Sequence, residues 1–320
     1  MTVGAGPWLR AATVAAAVAL AIASPDTLAA PVTPGAATAV PWWVWPLALF
    51  VVCFFLGIVA VPAGVGGGVL FVPIVGGFFP FHLDFVRGAG LLVALASALA
   101  AGPPLLRSGL ANLRVSLPLA LLASASSIAG ALAGLALPAT VVQVALGCTI
   151  LAIVALMATA KKSEYPEVGK PDRLSVALGL HGVFHDAGAH RDVAWQAHRT
   201  PVGLALFLAI GVLAGMFGLG AGWANLPALN LVMGLPLKVS AGSSSFILSL
   251  VDSSAAWVYI NQGAVLPMIA VPSVIGMMLG ARIGARLLRV LPASIVRRLV
   301  LALLFFAGLR ALLKGLGIWN

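Results

Sequence analysis

The chain has 320 residues, 62% hydrophobic and only 8% charged, with a mean hydropathy of +1.12. A soluble domain normally carries about a quarter charged residues, so a water-facing globular surface is excluded and lipid is the expected solvent. The 18 Lys and Arg against 8 Asp and Glu leave +10, which here reads as basic loops setting membrane orientation, not as a nucleic-acid footprint.

Residues 1–24 carry one basic residue, Arg10, ahead of an Ala/Val/Leu run that ends Ala21-Ile22-Ala23-Ser24. That is the pattern of a cleaved signal peptide or of an uncleaved signal anchor. Residues 25–41, rich in Pro, Ala and Thr, read as a flexible connector. A first membrane repeat follows over 42–160, as four apolar blocks near 42–81, 86–106, 115–136 and 138–160. The first block is too long for one crossing and is interrupted by Gly64, Gly66, Gly67 and Gly68. Residues 161–200 form a polar cytoplasmic linker, and 201–320 repeat the four-block pattern.

The linker holds His181, His185, His190 and His198. His181 and His185 have HxxxH spacing, but Gly182 and Gly188 make a helix a poor context. Asp186–Ala189 reads as the turn of a small β-hairpin, and no metal is expected. Cys53 and Cys148 lie in apolar runs with no CxxC pairing and read as packing residues.

The duplication is visible residue by residue. Gly57–Pro73 lies over Gly211–Pro227 at an offset of 211 − 57 = 154, with six of 17 positions identical. The offset is 242 − 90 = 152 at Gly90/Gly242 and returns to 154 at Gly109/Gly263, Gly130/Gly284 and Pro138/Pro292. Charge runs in opposite senses in the two copies. Arg107 and Arg114 flank the turn between the second and third blocks of the first copy, and Lys161-Lys162 follow its fourth. In the second copy the turn at Asn261-Gln262-Gly263 is neutral, while Arg286, Arg289, Arg297 and Arg298 crowd the next one. Basic short loops stay cytoplasmic, so equivalent turns are expected on opposite sides: two inverted-topology repeats, each a broken first hairpin plus three transmembrane helices. Lys238 fits this scheme; Arg87 and Lys314 run against it.

Paired Gly/Pro interruptions at matching places in two halves point to a transporter's site. The glycines Gly64, Gly66, Gly67 and Gly68 in one copy and Gly218, Gly220 and Gly222 in the other would let backbone N–H groups approach an anion. Close helix packing at small residues is the plainer reading. The second copy adds Asn225 and the hydroxyls Ser243, Ser244 and Ser245 within Ala241–Phe246, where the first copy has the apolar Ala89–Ala94. Asp252, an acid within an apolar span, could take a coupling proton or pair with a cation, or a residue such as Arg282 could be its structural partner. The glycine steps at Gly276, Gly280 and Gly284 read as helix-packing contacts. No nucleotide-binding or hydrolase motif stands in the chain, and neither enzyme activity nor a cofactor is expected.

At these residues the chain resembles the TauE/SafE family of membrane transporters, over about residues 45–316. The resemblance rests on the glycine-rich stretch before a proline, at Gly64–Pro73 and Gly218–Pro227, and on the Ala241–Ser245 element. Ala221 and Trp223 interrupt the second glycine pattern, and Trp223 would narrow a cavity there. The resemblance implies a multi-pass permease of the bacterial inner membrane, embedded in the lipid bilayer; the sequence does not give the oligomeric state, and a homodimer is left open. Its expected substrate is a small anion such as sulfite or a sulfonate. A channel, an assembly factor and a membrane-embedded enzyme are the alternatives.

Overall fold

The computed structural model describes residues 41–63, 66–107, 111–159, 166, 171–186, 191–287 and 293–318. Most of residues 1–41, Gly64, Gly109, Lys161-Lys162, the hairpin turn with His190, Arg289 and Pro292 lie outside the described residues. The elements are α1 (Val44–Ala63), α2 (Gly67–Phe78), α3 (Leu83–Arg107), α4 (Leu113–Ala136), α5 (Ala139–Thr159) and α6 (Arg173–Ala177). A hairpin of β1 (His181–Asp186) and β2 (Arg191–Gln196) follows. The second half holds α7 (Thr200–Phe217), α8 (Gly222–Pro227), a π-helical turn (Ala228–Val232), α9 (Leu237–Asn261), α10 (Pro267–Leu287) and α11 (Ala293–Gly315).

The apolar blocks become helices because a backbone in lipid must satisfy its own hydrogen bonds. Among the described residues, four helices meet the length and hydropathy of a crossing: Leu83–Ala100, Leu113–Ala136, Ala139–Leu156 and Thr200–Phe217. The sequence predicts more crossings than these. α9 is long enough but diluted by Lys238, its serines and Asp252, and α11 by Arg297, Arg298, Arg310 and Lys314. The outward-facing side chains include Phe55, Leu121, Val141, Trp257 and Phe306. Such an apolar exterior is unfavourable in water and suits a hydrocarbon solvent.

Glycines set how the helices pack. A Cβ on Gly276 would meet the Phe50 carbonyl at 2.4 Å, and one on Gly280 the Phe54 carbonyl at 2.0 Å. α1 and α10 therefore run in the same direction, backbone against backbone. α7 and α4 do likewise: Gly130 faces the Val212 carbonyl at 2.1 Å and Gly134 the Met216 carbonyl at 2.7 Å. α5 and α11 run oppositely, with Gly147 against Leu312 and Gly315 against Val144. α3 and α9 are also opposed, Arg87 lying over Tyr259 while Ala94 and Asp252 share Gly220.

The expected hairpin forms in the linker, antiparallel from His181 opposite Gln196 to Asp186 opposite Arg191. His181 and His185 thus stand on a strand, not a helix. Leu180, Phe184, Trp195 and Ala197 turn inward and join a core with Phe207, Met233 and Leu235. The hairpin is thereby docked over the start of α4, where Gly182 lies near Asn112.

Asp172 anchors the linker. Its carboxylate accepts from the Thr200 N–H at 3.2 Å, the Thr200 hydroxyl at 2.9 Å and the Ser175 N–H at 3.4 Å. Burial works to raise its pKa, but these hydrogen bonds win and hold it below the usual carboxylate value. A depressed folded pKa stabilises above the unfolded value, and that contribution is lost as pH falls through the folded one. Exchange of the Ser175 and Thr200 amides, measured relative to the intrinsic rate at each pH, is therefore expected to be slow at neutral pH and to lose that protection below about pH 4. Asp172→Asn should accelerate it at neutral pH. Exchange indifferent to both changes would show that the anchor contributes nothing.

Candidate functional site

Each half has a broken first hairpin. α1 stops at Ala63, and Gly66 (φ +80°) caps the start of α2. α7 stops at Gly218 (φ +68°), and Gly220 (φ +72°) turns the chain into α8. Left-handed φ values of this kind suit glycine and strain any residue with a Cβ.

The two breaks meet. A Cβ on Gly68 would lie 2.6 Å from the Leu219 carbonyl, 2.9 Å from Ala94 and 3.0 Å from the Gly90 carbonyl. A Cβ on Gly90 would lie 2.6 Å from the Gly218 carbonyl. The interruptions of both halves thus converge beside α3. Gly66 faces Leu248 of α9, and Gly67 is filled against Met277 of α10.

Asp252 joins them. It is fully buried on α9, and a Cβ on Gly220 would be 3.1 and 3.3 Å from its two carboxylate oxygens. Among the described residues neither oxygen has a hydrogen-bond partner in good geometry, and the backbone amide of Ala221 faces it. Gly222 opens α8, and Asn225, one turn on, is fully buried with neither amide atom hydrogen-bonded among the described residues. The Trp223 indole N–H is also buried without a partner there. Buried polar atoms are almost always satisfied in native structures; a cluster that is not marks a place for water, an ion or a substrate.

The three serines do not share one face, because successive helical residues point about 100° apart. Ser243 accepts from the Asn112 backbone N–H at 3.1 Å, and Ser245 donates to the Ala241 carbonyl at 3.2 Å. Ser244 is buried one turn below Leu248, the residue that meets Gly66.

Gly90 and Ala94 read in the sequence only as an apolar stretch, yet they pack against both breaks. The register of Ala89-Gly90 over Ala241-Gly242 was the available signal.

Arg87 is a correction. Sequence pattern makes it a loop charge on the wrong side; the structure buries it to 1% exposure. It does not count against the orientation scheme, because it never reaches the loop.

A family model for the sulfite exporter TauE/SafE matches residues 49–311. The chain belongs to the sulfite exporter TauE/SafE family. This TauE/SafE protein is 28% identical over 131 residues to the probable membrane transporter protein YunE of Bacillus subtilis (strain 168), which is 41% of this chain and 47% of that one. It is 26% identical over 268 residues to the probable membrane transporter protein ORF9 of a Sinorhizobium species, 82% of this chain and 91% of the other. The chain thus spans about half the length of the first relative and most of the second. No solved structure matches it. Its apolar helices of membrane-spanning length accord with that family, and the converging breaks lie within the matched residues.

Proposed function

We propose that this TauE/SafE transporter is a secondary carrier of a small anion, such as sulfite or a sulfonate, across a bacterial inner membrane. It works by alternating access of two inverted repeats around the paired breaks. The meeting of Gly68 with Leu219 beside α3 carries this reading. Backbone N–H groups at the start of α2 have no intrahelical acceptor and are free to bind anionic oxygens. Gly66, Gly67 and Gly68 supply one wall, Gly64 lying outside the described residues; Gly218, Gly220, Gly222 and Asn225 supply the other, with Ser244 among the nearby hydroxyls. Ser243 and Ser245 help hold the frame around it.

The inverted arrangement is supported by helix direction. α1 runs with α10, α7 runs with α4, and α3 and α9 oppose one another. Counterpart helices of the two halves then run in opposite senses, as inverted repeats require. The pairings also exchange: Gly57 meets Met277 and Gly280, and Gly211 meets Ala123 and Ser126, their counterparts at the offset of 154.

Asp252 is the coupling group in this scheme. A buried carboxylate beside an anion site is electrostatically tolerable only when a proton or cation balances it. The test is uptake of sulfite, taurine and simple sulfonates by purified protein in liposomes, with and without a pH gradient. Saturable, gradient-sensitive flux of one such anion is expected. Absence of flux for all of them, with intact protein, would overturn the substrate class, and non-saturable conductance would make it a channel.

A further inference from the structure

The described part of the molecule holds a second buried polar site, beside the second break on the side of the helix ends, built around Arg87. Its guanidinium Nη1 donates to the Gly134 carbonyl at 3.1 Å and to the Met216 carbonyl at 2.9 Å. Nη2 pairs with Asp84, one turn earlier on α3. The guanidinium carbon lies 5.8 Å from the centre of the Tyr259 ring. The Tyr259 hydroxyl in turn donates to the Gly215 carbonyl at 3.1 Å and the Met216 carbonyl at 3.3 Å.

These carbonyls have a common origin. α7 ends at Phe217 and α4 at Ala136, so the carbonyls of Gly134, Gly215 and Met216 lie in last turns that have no intrahelical donor. The negative end of a helix favours a cation, and a planar guanidinium can serve two such ends together. The space is made for it: a Cβ on Gly134 would be 2.9 Å from Nη1, and one on Gly218 would be 2.3 Å from the Arg87 carbonyl. Both Nη groups of Arg87 are therefore occupied by protein groups, and its Nε is buried without a partner among the described residues.

The contact also joins the two halves. Arg87, Asp84 and Gly134 belong to the first; Gly215, Met216 and Tyr259 belong to the second. It lies where α3 begins and α4 and α9 end, opposite the linker that joins α5 to α7. At the linker end, a cavity of about 560 Å³ opens beside the hairpin, lined by His181, Trp195, Gln196, Gly234 and Pro236. The end opposite the linker is thus pinned across the halves by a buried charge, whereas the linker end is joined by the neutral Asn112–Ser243 hydrogen bond and bears an open surface cavity.

We propose that Arg87, with Tyr259, is a latch that closes the end of the transporter opposite the linker, and that its release exposes the breaks to that side. This rests on the alternating-access reading. A buried charge torn from its partners is expensive, so the latch makes the closed state discrete instead of graded.

The test is accessibility, which needs no substrate. Cys53 and Cys148 are replaced by alanine, and Ser244→Cys, nearly isosteric, places one thiol one turn from Leu248, the residue that meets the first break. A membrane-impermeant maleimide is then applied from each side of oriented vesicles. Arg87→Gln should raise labelling from the side opposite the linker by about fivefold or more, equivalent to roughly 1 kcal/mol of shifted population. Labelling from the linker side should not rise. Arg87→Lys should restore part of the protection, and Tyr259→Phe, which keeps the ring, should give an intermediate rise. Unchanged labelling in folded Arg87→Gln, or an equal rise from both sides, would overturn the latch. If that variant does not insert, Tyr259→Phe decides: no rise from the side opposite the linker overturns the proposal. Failure of wild-type flux with these labelling changes intact would sink the carrier reading and leave the latch standing.

Discussion

Gly68→Val is expected to abolish transport while leaving the protein in the membrane. At Gly68 the first carbon of any side chain already lies 2.6 Å from the Leu219 carbonyl and 2.9 Å from Ala94. Those neighbours are the buried backbone of the second break and a methyl group on a packed helix, so they cannot swing away as a long side chain could. Overpacking of this kind costs about 1–3 kcal/mol. The cost falls on the conformation in which the breaks touch, which would depopulate it about ten- to hundredfold. Gly68→Ala should act in the same direction with a smaller loss. The measurement is initial uptake rate in liposomes, normalised to the amount of inserted protein. Wild-type rates in Gly68→Val would mean that the breaks do not need to meet for transport.

Much of this arrangement was legible because its signals are local. Long apolar runs, glycine clusters and prolines each act within a turn or two, so the broken hairpins stand where Gly64–Pro73 and Gly218–Pro227 place them. The packing role of Gly276 and Gly280 was equally plain, since a small residue every fourth position makes a flat helix face. Arg87 was not legible in the same way. Its carbonyl partners are 47 and 129 residues away, at helix ends whose meeting is a property of the tertiary fold. Read locally, it is a cation close to a loop, and only its place inside an apolar block hinted at burial. The serine triplet shows the opposite error. Ser243, Ser244 and Ser245 look like one cluster in sequence, but a helix spreads them around its circumference, and two of the three serve backbone groups.

Replacement of Asp252 should separate coupling from binding. Asparagine keeps the size and hydrogen-bonding capacity of the side chain, but it cannot gain or lose the proton that would balance a carboxylate buried against Gly220. Asp252→Asn is therefore expected to lose accumulation driven by a pH gradient, by about tenfold or more, the effect of removing roughly 1.4 kcal/mol of driving energy. Exchange of labelled for unlabelled substrate across the same liposomes, which needs no net proton movement, should persist. A residue that served only as packing would affect both measurements together or neither. Asp252→Glu adds a methylene in a site where Ala94 and Gly220 leave no room, so it should impair both while retaining sensitivity to pH. Gradient-driven accumulation that survives in Asp252→Asn would remove Asp252 from the coupling path and leave the buried amide of Asn225, without a hydrogen-bond partner among the described residues, as a remaining candidate in the second break.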